Sequence, residues 1–186
     1  MTDTRSQLSP VTVVLHWVIG LAMIGMVLFG MWMADLPKEY PGRTDLYALH
    51  KSIGVLVLVF ATWRLVRRIG IGMLQGVGDY AAWEKVLSKL VAGFLLFATL
   101  ALPLSGIAMT VYAARPIAVF GVPVLPQLIA ERNKGMGDIF HGAHELLGWA
   151  VLGLVTLHIL GALKHHFVDG DGTLKRMLGA RVQPVD

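Results

Sequence analysis

Apolar residues in this chain gather into four long runs, roughly 11–33, 49–66, 86–112 and 139–163, divided by polar or glycine- and proline-marked segments. About 20 mostly apolar residues carry an α-helix across a bilayer, and each run is near or above that length. The predicted architecture is all-α: an integral membrane four-helix bundle, one domain over residues 1–186. The first run ends at Ala34-Asp35-Leu36-Pro37. The second ends at Arg64, Arg67 and Arg68, ahead of a connector whose glycines (Gly70, Gly72, Gly76 and Gly78) break the helix. Pro103 inside the third run predicts a kink, which membrane helices tolerate when neighbouring groups satisfy the freed carbonyl. The stretch 113–138 carries Pro116, Pro123 and Pro126 and reads as an irregular external loop. A polar leader, residues 1–10, precedes a first run too long for a signal-peptide core and without a small-residue cleavage pattern. That run is expected to stay as a span.

Composition sharpens the class. Of 186 residues, 55% are hydrophobic and only 15% charged, against about a quarter charged in soluble domains; the mean hydropathy is +0.65. There are no cysteines, which excludes disulfides, thiolate metal sites, iron–sulfur clusters and covalently attached c-type haem.

Basic residues set the expected orientation. With four spans, both termini and the connector between spans two and three share one side. Arg5, Arg64, Arg67, Arg68, Lys85, Lys89, Lys164, Lys175, Arg176 and Arg181 fall there. Only Lys38, Arg43, Lys51, Arg115, Arg132 and Lys134 fall on the other. The richer side, with both termini, is expected to be cytoplasmic. The same bias accounts for the pI of 9.6 without nucleic acid, and a basic rim suits anionic lipid headgroups.

Histidines then stand out, because an ionisable side chain within a span is costly and marks a functional site. Depth pairs them: His16 opens span one and His158 closes span four, while His50 opens span two and His144 opens span four. His144 and His158 are 14 residues apart, almost four helical turns, so both point the same way about 21 Å apart along the axis. Neutral imidazole is a standard axial ligand of haem iron, and helical bundles house such cofactors in their cores. A lone histidine on an apolar face is usually a core residue; four matched in depth and rotation point to two stacked bis-histidine haems. His141 aligns less well with His158. His165 shares its face but lies two turns into the polar tail. Gly20, Gly25, Gly30 and Gly54 could clear space for a flat ring or allow close helix packing. Trp17, Trp32, Trp63, Trp83 and Trp149 read as interfacial anchors, and the nine methionines as packing.

The segments Leu15-His16-Trp17, Leu49-His50-Lys51-Ser52-Ile53-Gly54, Ala143-His144-Glu145 and Leu157-His158 resemble the bacterial cytochrome b561 family, the small four-span di-haem proteins. The tail Leu163-Lys164-His165-His166-Phe167 followed by Thr173-Leu174-Lys175-Arg176-Met177-Leu178 is similar to its YceJ-like branch. The resemblance covers essentially the whole chain. It implies two non-covalent b haems, the inner one on His16 and His158 and the outer one on His50 and His144, in a multi-pass protein of the bacterial inner membrane. Where many relatives carry a histidine early in the third span, this chain has Lys89 and Ala92. The four ligands come from spans one, two and four and do not depend on it.

Donor and acceptor are less legible. Quinone is the membrane-soluble partner, and Lys164, His165 and His166 could bind a quinone carbonyl or supply protons, or form a basic snorkelling collar. Arg64, Arg67 and Arg68 could pair with haem propionates or act as topology signals. A quinone-linked electron carrier ranks first. Some members of the family oxidise superoxide and reduce ubiquinone; that activity ranks second, because the outer basic residues are offset by Asp35, Glu39, Asp45, Glu131, Asp138 and Glu145. The long outer loop could also receive a periplasmic redox partner. From another class, a haem-free bundle moving ions or metal would line a path with these histidines, although no intramembrane carboxylates are paired.

Overall fold

The computed structural model describes residues 3–184. Four long helices, α1 (Pro10–Ala34), α2 (Arg43–Ile71), α3 (Ala82–Tyr112) and α4 (Lys134–Phe167), are joined by a two-stranded hairpin, β1 (Ile117–Val119) and β2 (Val122–Leu125), between α3 and α4, and followed by a short α5 (Thr173–Met177). All four long helices are apolar and long enough to cross a membrane. Each packs on its sequence neighbour and α4 returns against α1, which closes an up-and-down bundle.

The helices outrun the apolar runs because polar residues start them well. Ser9 caps α1 by accepting the Thr12 N–H, with Pro10 in the first turn. Asn133 caps α4 by accepting from Met136 at 3.1 Å, so that helix begins at Lys134 rather than near 139. Glu84 of α3 reaches back to the Ala81 N–H at 3.1 Å. In the polar first turn of α2, Arg43 donates to Tyr47 at 3.0 Å and its guanidinium lies over the same ring. α3 runs helically through Pro103.

Leu15, Ile19, Met23 and Val27, one turn apart on α1, meet Val57, Ala98, Leu102 and Val151 in the core. The opposite faces expose large apolar side chains, among them Leu21, Val59, Phe97 and Leu146, a surface that suits lipid rather than water.

The stretch expected to be irregular is partly ordered. Phe120 and Gly121, with φ of 48° and 84°, form a tight turn between β1 and β2. The hairpin docks on α2 through Ile117, which is buried, and through the Phe120 N–H donating to Ser52 Oγ at 2.9 Å. Pro123 inside β2 and the short strands gave no strand signal.

The opposite end carries both termini, folded together. Arg68, 7% exposed at its side chain, binds Asp3 at 2.6 Å, Thr12 Oγ1 at 2.7 Å and the Gly72 carbonyl at 3.2 Å. Burial pushes the Asp3 carboxyl up, but the Ser9 backbone N–H and the Arg68 guanidinium outweigh it and hold the group at about 2. Arg176 donates to the carbonyls of Arg5 at 2.9 Å and Gln75 at 2.8 Å, and the Val182 N–H to that of Ser6 at 2.8 Å.

Candidate functional site

Two pairs of imidazoles face one another in the bundle. At the termini end α1 and α4 bring His16 and His158 together, with ring centroids 6.2 Å apart and planes at 55°. At the hairpin end α2 and α4 bring His50 and His144 together, also 6.2 Å apart, with planes at 73°. Both α4 members lie on one helical face, as their spacing requires. His141 is exposed and in neither pair.

The hairpin-end pair is closely cradled. His144 Nδ1 lies 3.1 Å from the Leu102 carbonyl and 2.9 Å from Ser105 Oγ. A carbonyl oxygen can only accept, so Nδ1 carries the ring proton and Nε2 keeps a free lone pair. The His144 ring lies against α3 at Gly106, where an added Cβ would meet Cε1 at 3.4 Å. His50 lies against α1 at Gly30, where a Cβ would come within 3.1 Å of Cε1, and Phe29 stands 5.9 Å away. His50 Nδ1 is buried with no hydrogen-bond partner. Gly54 and Lys51 line a small cavity beside both imidazoles. Arg115 is close enough for its charge to act on Lys51.

At the termini end Trp17 stacks edge-on to His16 with centroids 5.5 Å apart, and its Nε1–H donates to the Met177 carbonyl at 2.7 Å. Trp17 is therefore a tie between α1 and the tail, whereas Trp32, Trp63, Trp83 and Trp149 are exposed. The three arginines separate. Arg68 is consumed by Asp3 and Thr12, and Arg67 approaches Ser9 Oγ at 3.4 Å. Arg64 makes no hydrogen bond among the described residues, and its charge acts on both His16 and His158. A Cβ at Gly20 or Gly54 would meet nothing within 4 Å. Those glycines leave space rather than close a helix contact.

Lys164 and His165 belong to a polar network and not to a free collar. Lys164 Nζ binds Glu84 at 2.5 Å and Asp169 at 2.8 Å, and His165 Nδ1 lies 2.7 Å from the same Asp169. The Tyr80 ring is 4.3 Å from that of His165, and its hydroxyl donates to Asp171 at 2.5 Å. Burial first, then the hydrogen bond to Asp171, push the Tyr80 phenol up. His166 Nδ1 is buried without a partner.

Sequence reasoning passed over Leu102, Ser105, Gly106, Tyr80 and Asp3. The Leu102-Pro103-Leu104-Ser105-Gly106 stretch offered small residues beside a proline in a span, but nothing in one dimension tied them to His144.

Among the described residues no group of three or more histidine, cysteine, aspartate or glutamate side chains could hold a metal ion. Sites of two imidazoles suit an ion that brings its remaining ligands with it.

Comparison with known proteins finds relatives over nearly the whole chain. The family model for prokaryotic cytochrome b561 matches residues 7–180. The chain is 31% identical over 180 residues to cytochrome b561 homolog 2 of Escherichia coli, covering 96% of this chain and 94% of that one. To cytochrome b561 homolog 1 of the same organism it is 29% identical over 182 residues, covering 95% and 99%. The "Probable superoxide oxidase CybB" of Yersinia pestis is 26% identical over 174 residues, covering 88% of this chain and 91% of that one.

Proposed function

Because the chain belongs to the prokaryotic cytochrome b561 family, multi-pass membrane cytochromes of transmembrane electron transfer, we propose that it moves electrons across the bacterial inner membrane through two non-covalent b haems linked to the quinone pool. His16 and His158 would hold the inner haem, and His50 and His144 the outer one. The observation that carries this reading is the pairing. Both pairs stand with ring centres 6.2 Å apart, a gap in which one metal ion would be held by a nitrogen of each ring at the usual distance of about 2.0–2.1 Å.

The residues fit the group in three further ways. The His144 tautomer leaves Nε2 free to ligate. No hydrogen bond among the described residues commits the His50 ring, whose Nδ1 is buried without a partner. Gly30 keeps α1 clear of that ring. Bound there, each haem supplies a one-electron ferric/ferrous couple. The chain orients the rings on one face of α4, about 21 Å apart, and excludes water with the Leu15–Ile19–Met23–Val27 stripe. Arg64, unpaired among the described residues and beside the inner imidazoles, is the arginine left to bind a haem propionate.

The excess of basic residues at the termini end supports a cytoplasmic location for it. Quinone reduction consumes protons with its electrons, and the Tyr80, His165, Asp169 and Asp171 network lies about two turns beyond His158, where it can hold them. His166 Nδ1, buried and unpartnered, is a donor left over for a carbonyl.

A second reading, superoxide:ubiquinone oxidoreductase, is favoured by Lys51 lining the outer cavity with Arg115 near it, a local positive site on a side of zero net charge. Stopped-flow mixing of the oxidised protein with superoxide decides it: fast haem reduction establishes the activity and its absence removes it.

The main test is a reduced-minus-oxidised visible spectrum with extracted haem counted per chain. Two low-spin b haems are expected. Colourless folded protein would overturn the reading and return the histidines to an ion-conducting path.

A further inference from the structure

Of the four paired histidines, His144 alone has ring hydrogen bonds among the described residues. Ser105, 6% exposed on α3, gives its hydroxyl proton to the Leu102 carbonyl one turn back at 2.7 Å. Its oxygen therefore presents a lone pair to His144 Nδ1 at 2.9 Å, while the Leu102 carbonyl accepts from the same N–H at 3.1 Å. Two acceptors share one N–H in a buried setting, where hydrogen bonds are electrostatically strong. His50 across the pair has a buried Nδ1 with no acceptor.

We propose that Ser105 is a positioning residue for the outer haem: with the Leu102 carbonyl it fixes the tautomer and rotation of His144 and makes Nε2 a stronger donor to iron. This rests on the reading of His144 as an axial ligand. An acceptor on the far nitrogen draws the ring proton away, raises the basicity of the ligating nitrogen and favours the ferric ion over the ferrous one. The outer haem is thereby held at a lower reduction potential than its two imidazoles alone would give it. Among the described residues no such partner faces His16 or His158, so the effect is confined to one end of the bundle. Gly106 leaves the ring resting on bare backbone, and Ser105 and Leu102 decide how the ring turns there.

Potentiometric titration of both haems in the purified full chain tests this with Ser105→Val, Ser105→Thr and Ser105→Ala. Valine and threonine have nearly the same bulk and differ in the hydroxyl, so their comparison isolates the hydrogen bond; alanine covers the case in which neither larger residue is accommodated. With two haems retained, Ser105→Val and Ser105→Ala are expected to shift the ferric/ferrous equilibrium of one haem roughly three- to tenfold toward ferrous, at 59 mV per tenfold change for one electron. Ser105→Thr is expected to stay near the wild type and the second haem to be unmoved in all three. The haem that moves must be the one lost in His50→Ala. Equal movement of both haems, movement of the inner haem only, or an unmoved outer haem in Ser105→Val and Ser105→Ala would overturn the proposal while leaving the two-haem reading intact. A wild-type protein without an outer haem would instead overturn the ligand assignment itself.

Discussion

Asp3→Asn removes the charge that closes the termini end. In the folded chain the Asp3 carboxylate accepts from the Ser9 N–H at 2.8 Å, from Thr12 Oγ1 at 2.8 Å and from Arg68 at 2.6 Å. These partners hold it at about 2 against an ordinary value of 3.8. At 1.36 kcal/mol per pH unit that difference is worth about 2 kcal/mol. The side chain is only 8% exposed, so solvent screening discounts the figure little. The folded value lies below the unfolded one, so the contribution is complete above about pH 4 and is lost as pH falls toward about 2. The N-terminal segment can detach without unfolding the bundle. The readout is therefore local: amide hydrogen exchange of residues 8–13 in detergent at pH 7, wild type against Asp3→Asn. Exchange is expected to rise roughly 30-fold, the same free energy expressed as an opening equilibrium. In thermal unfolding, the gap between the two proteins should narrow between about pH 4 and pH 2. Equal protection at pH 7, or a stability gap that ignores pH across that window, would refute the clasp as the source of the perturbation.

His16→Ala or His158→Ala should cost the inner haem and spare the outer, and His50→Ala or His144→Ala the reverse; a His16/His50 double variant that lost only one haem by pyridine haemochrome assay would break the pairing. Gly30→Ala drives a Cβ to within 3.1 Å of His50 Cε1, so overpacking of about 1–3 kcal/mol should weaken outer-haem retention, read as extracted haem per chain. Ser52→Ala removes the acceptor of the Phe120 N–H, at about 1 kcal/mol, and limited proteolysis should then nick the α3–α4 connection faster.

What could be read from one dimension was what depends on local composition and helical period. The length of each apolar run predicted four spans, because a bilayer has a set thickness and a helix a set rise. The 14-residue interval between His144 and His158 placed them on one face for the same reason. Depth alone then indicated which histidine on another helix each would meet, and the two 6.2 Å pairs are the geometry that pairing needs. The helices begin at Arg43 and Lys134, several residues before the apolar runs, because caps and polar first turns carry no apolar signal. Tertiary structure decided everything that depends on a side chain from one helix reaching the backbone of another. It sorted three equivalent-looking arginines into a buried clasp, a weak contact and an unpaired charge beside His16 and His158. It tied Lys164 to two carboxylates and Trp17 to the carbonyl of Met177. It also set the proton of His144 on Nδ1 by bringing Leu102 and Ser105 of α3 against it. Hydrogen bonds select partners by distance and direction within a few tenths of an ångström, and residues 39 and 42 positions apart come to such a distance only once the helices have packed.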